Sequence, residues 1–163
     1  MREAYLDIET TGLSPDNCQI TVIGIYITGD GEDEMIQLVG DEISDEAITS
    51  ALEGVNVLHT YNGARFDLPF IDAHHKVNLA EEFEHIDLMF DCWKNNLYGG
   101  LKSVERQLGI DRKLKEVNGY EAVRLWWAYV NDNDEEALKT LLEYNKEDVV
   151  NLKTLKKRLE GRN

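Results

Sequence analysis

The spacing of apolar residues divides the chain into a strand-rich first part and a helical second part. Short apolar runs predict five strands, and the second of them is rich in β-branched residues, which favour the half-buried surface of a sheet. The strands are expected at 3–8, 19–28, 35–39, 55–60 and 84–88. Apolar positions repeating every three or four residues predict helices in the remaining segments. The helices are expected at 44–52, 65–77, 100–108, 119–131 and 134–159, the last either as one helix or as two pieces.

The order of these elements predicts an α/β fold with a mixed, roughly five-stranded sheet. Three hairpin-linked strands come first, then a β–α–β–α segment and further helices, which suits a sheet covered by helices on both faces. The 163 residues are enough to bury one core, and they contain no internal repeat or Pro/Ser-rich linker. We therefore expect a single domain over residues 1–163.

One acidic residue interrupts the apolar stripe of the last predicted helix. The stripe consists of Leu141, Tyr144, Asp148, Leu152, Leu155 and Leu159, spaced by 3, 4, 4, 3 and 4 residues. An ionised carboxylate on a buried face is costly unless it is paired or bound to a metal ion. Because Tyr144 lies one turn before Asp148, the helix is expected to direct a phenol and a carboxylate inward together.

Two further carboxylates share one face of the first predicted strand. Asp7 and Glu9 are two residues apart, so their side chains point the same way at a separation of roughly 6–7 Å. Such a pair destabilises the strand unless a positive charge lies between the carboxylates. Asp67 lies at a predicted junction between strand and helix, where an acid also interacts favourably with the helix dipole. Its position alone therefore leaves a structural and a functional interpretation open.

The formal net charge of −15 is distributed unevenly along the chain. Residues 1–100 contain 4 Lys and Arg against 20 Asp and Glu, whereas residues 101–163 contain 13 against 12. The acidic balance argues against a protein that holds nucleic acid by bulk charge, because such proteins are usually basic. It is compatible with an enzyme that recruits cations to a local site. Residues 101–115 form a basic segment of net charge +3, either a phosphate contact or a solvated helix face.

Other features of the composition narrow the class of protein. No apolar run approaches the roughly 20 residues that cross a membrane, and the N-terminal residues lack a signal-peptide pattern. We therefore expect a cytoplasmic protein that does not contact membranes. Cys18 and Cys92 lack metal-type or disulfide-type spacing and are interpreted as reduced, structural residues.

Three motifs resemble those of the DnaQ-like, or DEDD, 3′–5′ exonucleases of the ribonuclease H-like superfamily. Residues 7–13 (DIETTGL) resemble the first motif, and residues 61–67 (YNGARFD) resemble the second as found in family B polymerase proofreading domains. Residues 144–148 (YNKED) resemble the third motif in its tyrosine form, because the histidine form would place His where Glu143 stands. Residues 98–105 are also similar to the YprB-type branch, so the likeness covers nearly the whole chain.

The resemblance implies a ribonuclease H-like three-layer α/β/α fold with a two-metal phosphodiesterase site. Two divalent cations, Mg²⁺ or Mn²⁺, would be bound by the four carboxylates, with Asp7 bridging both. Glu9 and Asp148 would complete the first metal site, and Asp67 would serve the second directly or through water. Tyr144 would orient the nucleophilic water as the fifth catalytic residue. The expected reaction releases nucleoside 5′-monophosphates from the 3′ ends of single-stranded DNA or RNA.

The resemblance also implies substrate contacts near the first and second motifs. Thr10, Thr11 and Leu13 would lie against the terminal nucleotide, although the same residues also suit an ordinary turn with one core leucine. Asn62 matches a position near the substrate strand and equally suits a loop cap. For Trp126 and Trp127, packing in the core is favoured over stacking on bases.

Other functions remain compatible with these residues. One is a structure-specific or endo-acting nuclease on the same fold, and another is a small-molecule phosphoesterase. A third is a non-catalytic adaptor, although the intact acids and Tyr144 speak against it. The acidic charge favours weak, salt-sensitive substrate binding, or a replication, repair or RNA-processing partner acting in trans.

The predicted carboxylate cluster has a direct consequence for stability. Mg²⁺ or Mn²⁺ at millimolar concentration should raise the melting temperature, because a cation that binds only the folded state stabilises it. Thermal unfolding with and without metal measures the shift, and Asp7→Ala should abolish it. An equal shift in the variant, or none in the wild type, would argue against a metal cluster.

Overall fold

The computed structural model describes residues 1–162, and a five-stranded mixed sheet lies at the centre of the molecule. The strands are β1 (Glu3–Thr10), β2 (Ile20–Thr28), β3 (Glu34–Val39), β4 (Val57–Thr60) and β5 (Glu84–Asp87). Their order across the sheet is β3-β2-β1-β4-β5. The hairpin strands β1, β2 and β3 pair antiparallel, whereas β1, β4 and β5 pair parallel. The mixed five-stranded sheet predicted from the sequence is confirmed.

Seven α-helices accompany the sheet within the described residues. They are α1 (Asp45–Ala51), α2 (Asp67–His75), α3 (Leu79–Glu82), α4 (Leu88–Lys94), α5 (Leu101–Leu108), α6 (Gly119–Asp132) and α7 (Glu135–Glu160). None of the helices in residues 1–162 is long and apolar enough to cross a membrane. The sequence prediction did not include α3 or α4, because both are short and adjoin β5, where no turn signal separates strand from helix.

The two faces of the sheet are covered by different helices, as the alternation along β1 requires. Leu6 and Ile8 pack on one face in a cluster that includes Ile48 of α1, Phe70 of α2 and Leu79 of α3. On the other face, Tyr5 packs in a cluster with apolar residues of α4, α5 and α7. This three-layer arrangement confirms the predicted fold class. Since Asp7 and Glu9 share the face of Tyr5, they point towards the layer that contains α7.

The contact between α7 and the sheet depends on Asn145, which is fully buried. Its Nδ2 donates to the backbone oxygen of Asp7 at 3.2 Å, and its Oδ1 accepts from Gln37 Nε2 at 3.0 Å. Gly24 is paired with Asp7 across β1 and β2 and leaves space for the Asn145 amide. A Cβ atom on residue 24 would lie 2.0 Å from Asn145 Oδ1. The absence of a side chain at Gly24 therefore allows α7 to lie against β1 beside Asp7.

We expect Gly24→Ala to lower the free energy of unfolding by about 2 kcal/mol, because overpacking a close contact forces the helix or the strand to shift. Chemical denaturation measures this change. The second substitution Asn145→Ala removes the atoms in conflict and should recover part of the loss in the Gly24→Ala background, although it is destabilising in the wild type. Additive losses in the double variant would contradict this account of the contact.

Candidate active site

Three of the predicted carboxylates converge where α7 crosses β1. Asp7 and Glu9 come from one face of β1, and Asp148 comes from the apolar stripe of α7. One carboxylate oxygen from each lies within 4.8 Å of the other two. Because α7 is a single unbroken helix of 26 residues, the stripe inferred from the sequence is continuous through Asp148. The inward face of β1 and the apolar stripe of α7 therefore bring the three carboxylates together.

The converging carboxylates resist ionisation in the metal-free protein. Burial, followed by the charges of Asp148, Glu9 and Asp67, raises the pKa of Asp7 well above its usual range. Burial and the neighbouring Asp148 raise the pKa of Glu9 to about 8. The Oε1 atom of Glu9 is buried and accepts no hydrogen bond from residues 1–162. A buried acceptor without a donor is costly, so this position favours a cation.

Asp67 lies beside the three-carboxylate cluster and is held by the backbone of β1. Its Oδ2 accepts a hydrogen bond of 2.9 Å from the amide of Ile8, the residue between Asp7 and Glu9. The side chain is buried, and burial is the main cause that raises its pKa to about 7, with Asp87 and Asp148 adding repulsion. Asp67 is not part of the 4.8 Å cluster, but its charge acts on both Asp7 and Glu9.

The loop before Asp67 is positioned by Asp87, a residue that sequence reasoning missed. Asp87 accepts hydrogen bonds from the amides of Asn62 at 2.8 Å and Ala64 at 3.1 Å, and it also caps α4 through the amide of Met89. In the same loop a Cβ atom on Gly63 would lie 2.3 Å from Thr60 Oγ1. The sequence signal for this role was an acidic residue at the end of β5, because β5 is next to β4 and the loop begins where β4 ends.

Tyr144 is buried one turn before Asp148 on α7, as the stripe predicted. Burial raises the pKa of its phenol above the ordinary value, and the charges of Asp148, Glu9 and Asp7 raise it further. The hydroxyl group therefore keeps its proton at neutral pH. Because no group in residues 1–162 forms a hydrogen bond with this hydroxyl, it is free to bind a ligand in the acidic site.

Arg112 is the second residue whose position sequence reasoning missed. It was treated as one cation of a basic segment, but its side chain is buried, and Nη2 lies 2.7 Å from Asp148 Oδ1. The same guanidinium binds both oxygens of Glu105, with Nη2 at 2.9 and 3.0 Å. Burial raises the pKa of Asp148 to about 6, and Arg112 limits that rise. The cation thus partly compensates the charge of Asp148.

The loop that carries Arg112 is fastened to α7 through its backbone. Glu147, the neighbour of Asp148, accepts hydrogen bonds from the amides of Lys113 at 2.6 Å and Leu114 at 3.0 Å. The Asn151 side chain donates to Glu105, which links α5 to α7 as well. No periodicity connects these residues, so only the folded structure shows that they form one network.

The predicted substrate contacts occupy the turn after β1 and the loop before α2. Thr10 Oγ1 donates to the backbone oxygen of Gly12 at 2.6 Å, and Thr11 Oγ1 accepts from the amide of Gln19 at 2.8 Å. Leu13 is 85% exposed, so it is not the core leucine of the structural interpretation. Asn62 adopts a left-handed φ of 61°, and its Oδ1 is buried without a donor among residues 1–162. The hydroxyl groups of Thr10 and Thr11 therefore stabilise the turn in which Leu13 is exposed.

The two adjacent tryptophans have different environments on α6. Trp126 is buried and packs in a cluster with Val22 and Leu141, which confirms the core interpretation for this residue. Trp127 is 40% exposed and is not a core residue. Successive positions on a helix point about 100° apart, so one of an adjacent pair commonly faces outward.

Sequence comparisons relate the chain to a known superfamily. A sequence profile of the RNase H superfamily matches residues 4–160. The chain is 28% identical over 172 residues to the uncharacterized protein YprB of Bacillus subtilis, an alignment covering 93% of the chain and 40% of YprB. It is 30% identical over 167 residues to the uncharacterized protein MJ0365 of Methanocaldococcus jannaschii, covering 91% of the chain and 90% of that protein. The chain thus spans less than half the length of YprB.

Solved structures share the fold at low sequence identity. The family B DNA polymerase of Pyrobaculum calidifontis superimposes with a TM-score of 0.71 and 18% identity, over 98% of this chain and 24% of the polymerase. Brucella melitensis NrnC bound to pGG superimposes with a TM-score of 0.65 and 23% identity, over 98% of this chain and 72% of NrnC. These likenesses show a common fold.

The raised pKa values of the carboxylates predict how stability depends on pH. An acid whose pKa is higher in the folded than in the unfolded protein binds more protons when folded, so deprotonation favours unfolding. The metal-free protein should therefore lose stability as the pH rises from about 5 to about 8, the range set by Asp148, Asp67 and Glu9. Melting temperatures in EDTA across this range measure the slope. Glu9→Gln should flatten it, and a wild-type melting temperature that rises with pH would contradict the repulsion.

Proposed function

The chain belongs to the RNase H superfamily, and we propose that it is a metal-dependent 3′–5′ exonuclease of the tyrosine DEDD type acting on single-stranded nucleic acid. The observation that carries the proposal is the convergence of Asp7, Glu9 and Asp148 within 4.8 Å, with Tyr144 one turn from Asp148. Asp67, anchored to the amide of Ile8, supplies the fourth carboxylate. Buried acids of one sign that repel one another suit divalent cations, and within residues 1–162 Asp148 alone among the four forms a salt bridge.

The donor set fits hard divalent cations. All four side chains offer carboxylate oxygens, which Mg²⁺ and Mn²⁺ prefer, and Glu9 Oε1 has no competing hydrogen bond within residues 1–162. Asp7, Glu9 and Asp148 would hold one cation, and Asp67 together with Asp7 would hold a second. When bound, such cations supply Lewis acidity at the phosphoryl oxygens and lower the pKa of water.

Tyr144 acts in this proposal by holding water through a hydrogen bond. Because the pKa of its phenol is raised, Tyr144 is not the base that removes a proton. Its hydroxyl donates to or accepts from the attacking water and orients it towards phosphorus. Removing that hydroxyl should therefore slow hydrolysis without removing the metal ligands.

Asp148 is kept in place by Arg112. The guanidinium holds Oδ1 of Asp148, so the carboxylate cannot rotate freely and its Oδ2 is the oxygen left to bind a cation. The bidentate contact with Glu105 in turn fixes the guanidinium plane. Arg112 is therefore a positioning residue in this proposal, because it acts through Asp148.

The turn after β1 is the proposed contact with the terminal nucleotide. Leu13 projects into solvent beyond β1, and the hydrogen bonds of Thr10 and Thr11 hold the turn in shape. An exposed apolar side chain in the turn that follows Glu9 suits packing against the last base, and Asn62 would lie near the same nucleic-acid strand. NrnC, one of the structures with the same fold, was solved with pGG, which supports a nucleic-acid ligand for this site. Hydrolysis at the 3′ end would release a nucleoside 5′-monophosphate.

The activity assay compares linear and circular single strands labelled at the 5′ end or internally, with Mn²⁺. The wild type should shorten linear DNA or RNA from the 3′ end and leave the circle intact. Asp148→Asn should abolish hydrolysis, and Tyr144→Phe should lower kcat by about 10- to 100-fold, the range for loss of one hydrogen-bonding group just outside the ligands of a metal site. Glu143→Gln, an exposed neighbour on the same helix, is the matched control and should retain activity.

Two results would overturn the proposal. A circle cut as fast as a linear strand would assign an endonuclease, and equal activity in the wild type and Asp148→Asn would remove the acidic cluster from the reaction. Absence of hydrolysis with every strand, together with full metal binding, would favour the non-catalytic adaptor.

A further inference from the structure

A basic pocket lies on the surface between α5 and the loop that follows it. It has a volume of about 330 Å³. Its charged lining residues are Lys102, Glu105, Arg106, Asp111, Arg112 and Lys115. Four of these six side chains are cationic, in a chain whose formal net charge is −15. The pocket therefore concentrates positive charge on an otherwise acidic protein.

The two acids of the pocket do not cancel its charge. Glu105 is buried, and Arg112 occupies both of its oxygens. Asp111 is exposed to solvent, where its charge is screened. Arg106 and Lys115 are also exposed, and neither forms an ion pair or a side-chain hydrogen bond with any residue in 1–162. These two cations are available to a ligand.

The pocket shares a wall with the acidic site. Lys102 Nζ lies 4.7 Å from the centre of the Tyr144 ring, and the Arg112 guanidinium carbon lies 5.7 Å from it. Arg112 also contacts Asp148 directly. A ligand that extends from the carboxylate cluster past Tyr144 therefore reaches the basic pocket next.

The two cations beside Tyr144, Lys102 and Arg112, repel each other. Burial lowers the pKa of Lys102, and the positive charge of Arg112 lowers it further, although Asp148 and Glu105 act in the opposite sense. An anion placed in the pocket would relieve this repulsion.

We propose that the pocket binds a phosphodiester group of the substrate strand, upstream of the bond that is cleaved. This inference rests on the proposed nuclease function and adds to it the course of the strand, from the acidic cluster over Tyr144 to Arg106 and Lys115. Lysine and arginine contacts to phosphate supply affinity and position without reading the base sequence. A negatively charged protein needs such a local contact, because its net charge of −15 repels the strand.

The test uses the double variant Arg106→Gln/Lys115→Gln. Both side chains are exposed and unpaired within the described chain, so the fold should be retained, which thermal unfolding checks. The matched control is Lys76→Gln/Lys139→Gln, which removes the same charge from two exposed side chains, at the end of α2 and near the start of α7, that do not line the pocket. Binding of a labelled single-stranded oligonucleotide is measured by fluorescence anisotropy with Ca²⁺, over a series of salt concentrations.

The pocket variant should raise Kd about tenfold and reduce the slope of log Kd against log salt by about 0.7 for each lost phosphate contact. The control pair should change Kd less than twofold. Oligonucleotides with one neutral methylphosphonate linkage then locate the contact. One position should weaken wild-type binding, and the same linkage should have little further effect on the pocket variant.

Equal losses of affinity in the pocket and control variants would show that only the net charge matters, and this would overturn the proposal. An unchanged Kd in the pocket variant would overturn it as well. Hydrolysis of thymidine 5′-p-nitrophenyl phosphate, which contains a single phosphate, separates this failure from that of the proposed function. With Mn²⁺, KM for the oligonucleotide should rise in the pocket variant relative to KM for the small diester. If the wild type hydrolyses neither substrate, the nuclease proposal fails, while the binding titration still decides whether the pocket holds phosphate.

Discussion

The position of α7 against β1 is the contact on which the acidic site depends. Asn145 joins the two elements by donating to the backbone of Asp7, and Gly24 on the neighbouring strand provides the space. Three residues further along the same helix, Asp148 meets Asp7 and Glu9. A shift of α7 by even part of a turn would separate these carboxylates, because each residue advances the helix by about 1.5 Å and rotates it by about 100°.

The convergence of like charges is unfavourable by itself, and the surrounding structure compensates only part of it. Arg112 neutralises Asp148 and is itself fixed by Glu105, while the backbone amide of Ile8 satisfies Asp67. Glu9 retains an acceptor atom with no donor in residues 1–162. A folded protein that keeps such an arrangement exchanges stability for a site that attracts cations, which is a common feature of functional centres.

The distribution of charge also bears on how a substrate would be held. The carboxylates of β1 and α7 form an acidic cluster, whereas cations of α5 and its following loop line a pocket, two of them against the Tyr144 ring. A strand bound across this boundary would place one phosphate near cations that the carboxylates recruit and another near cations that the protein itself supplies. Local arrangement, more than net charge, therefore decides whether an acidic protein can bind a polyanion.

Much of this molecule was predictable from local sequence patterns. Short apolar runs predicted all five strands, the 3-4 spacing predicted that Tyr144 and Asp148 face inward from one helix, and the alternation in β1 placed Asp7 and Glu9 on one face. The short helices α3 and α4 were not predicted, because a single turn or two adjoining a strand leaves too few residues for periodicity to be recognised.

The sequence by itself determined which residues face inward and which motifs resemble an exonuclease, because those properties depend on spacing within one element. Only the tertiary structure decided that Arg112 is buried against Asp148, that Asp87 holds the loop of Asn62, and that Asn145 faces Gly24. Each of these three contacts joins residues 23 or more positions apart in the sequence, and no common period relates their side chains. Such contacts follow from how elements pack, and packing is a property of the whole fold.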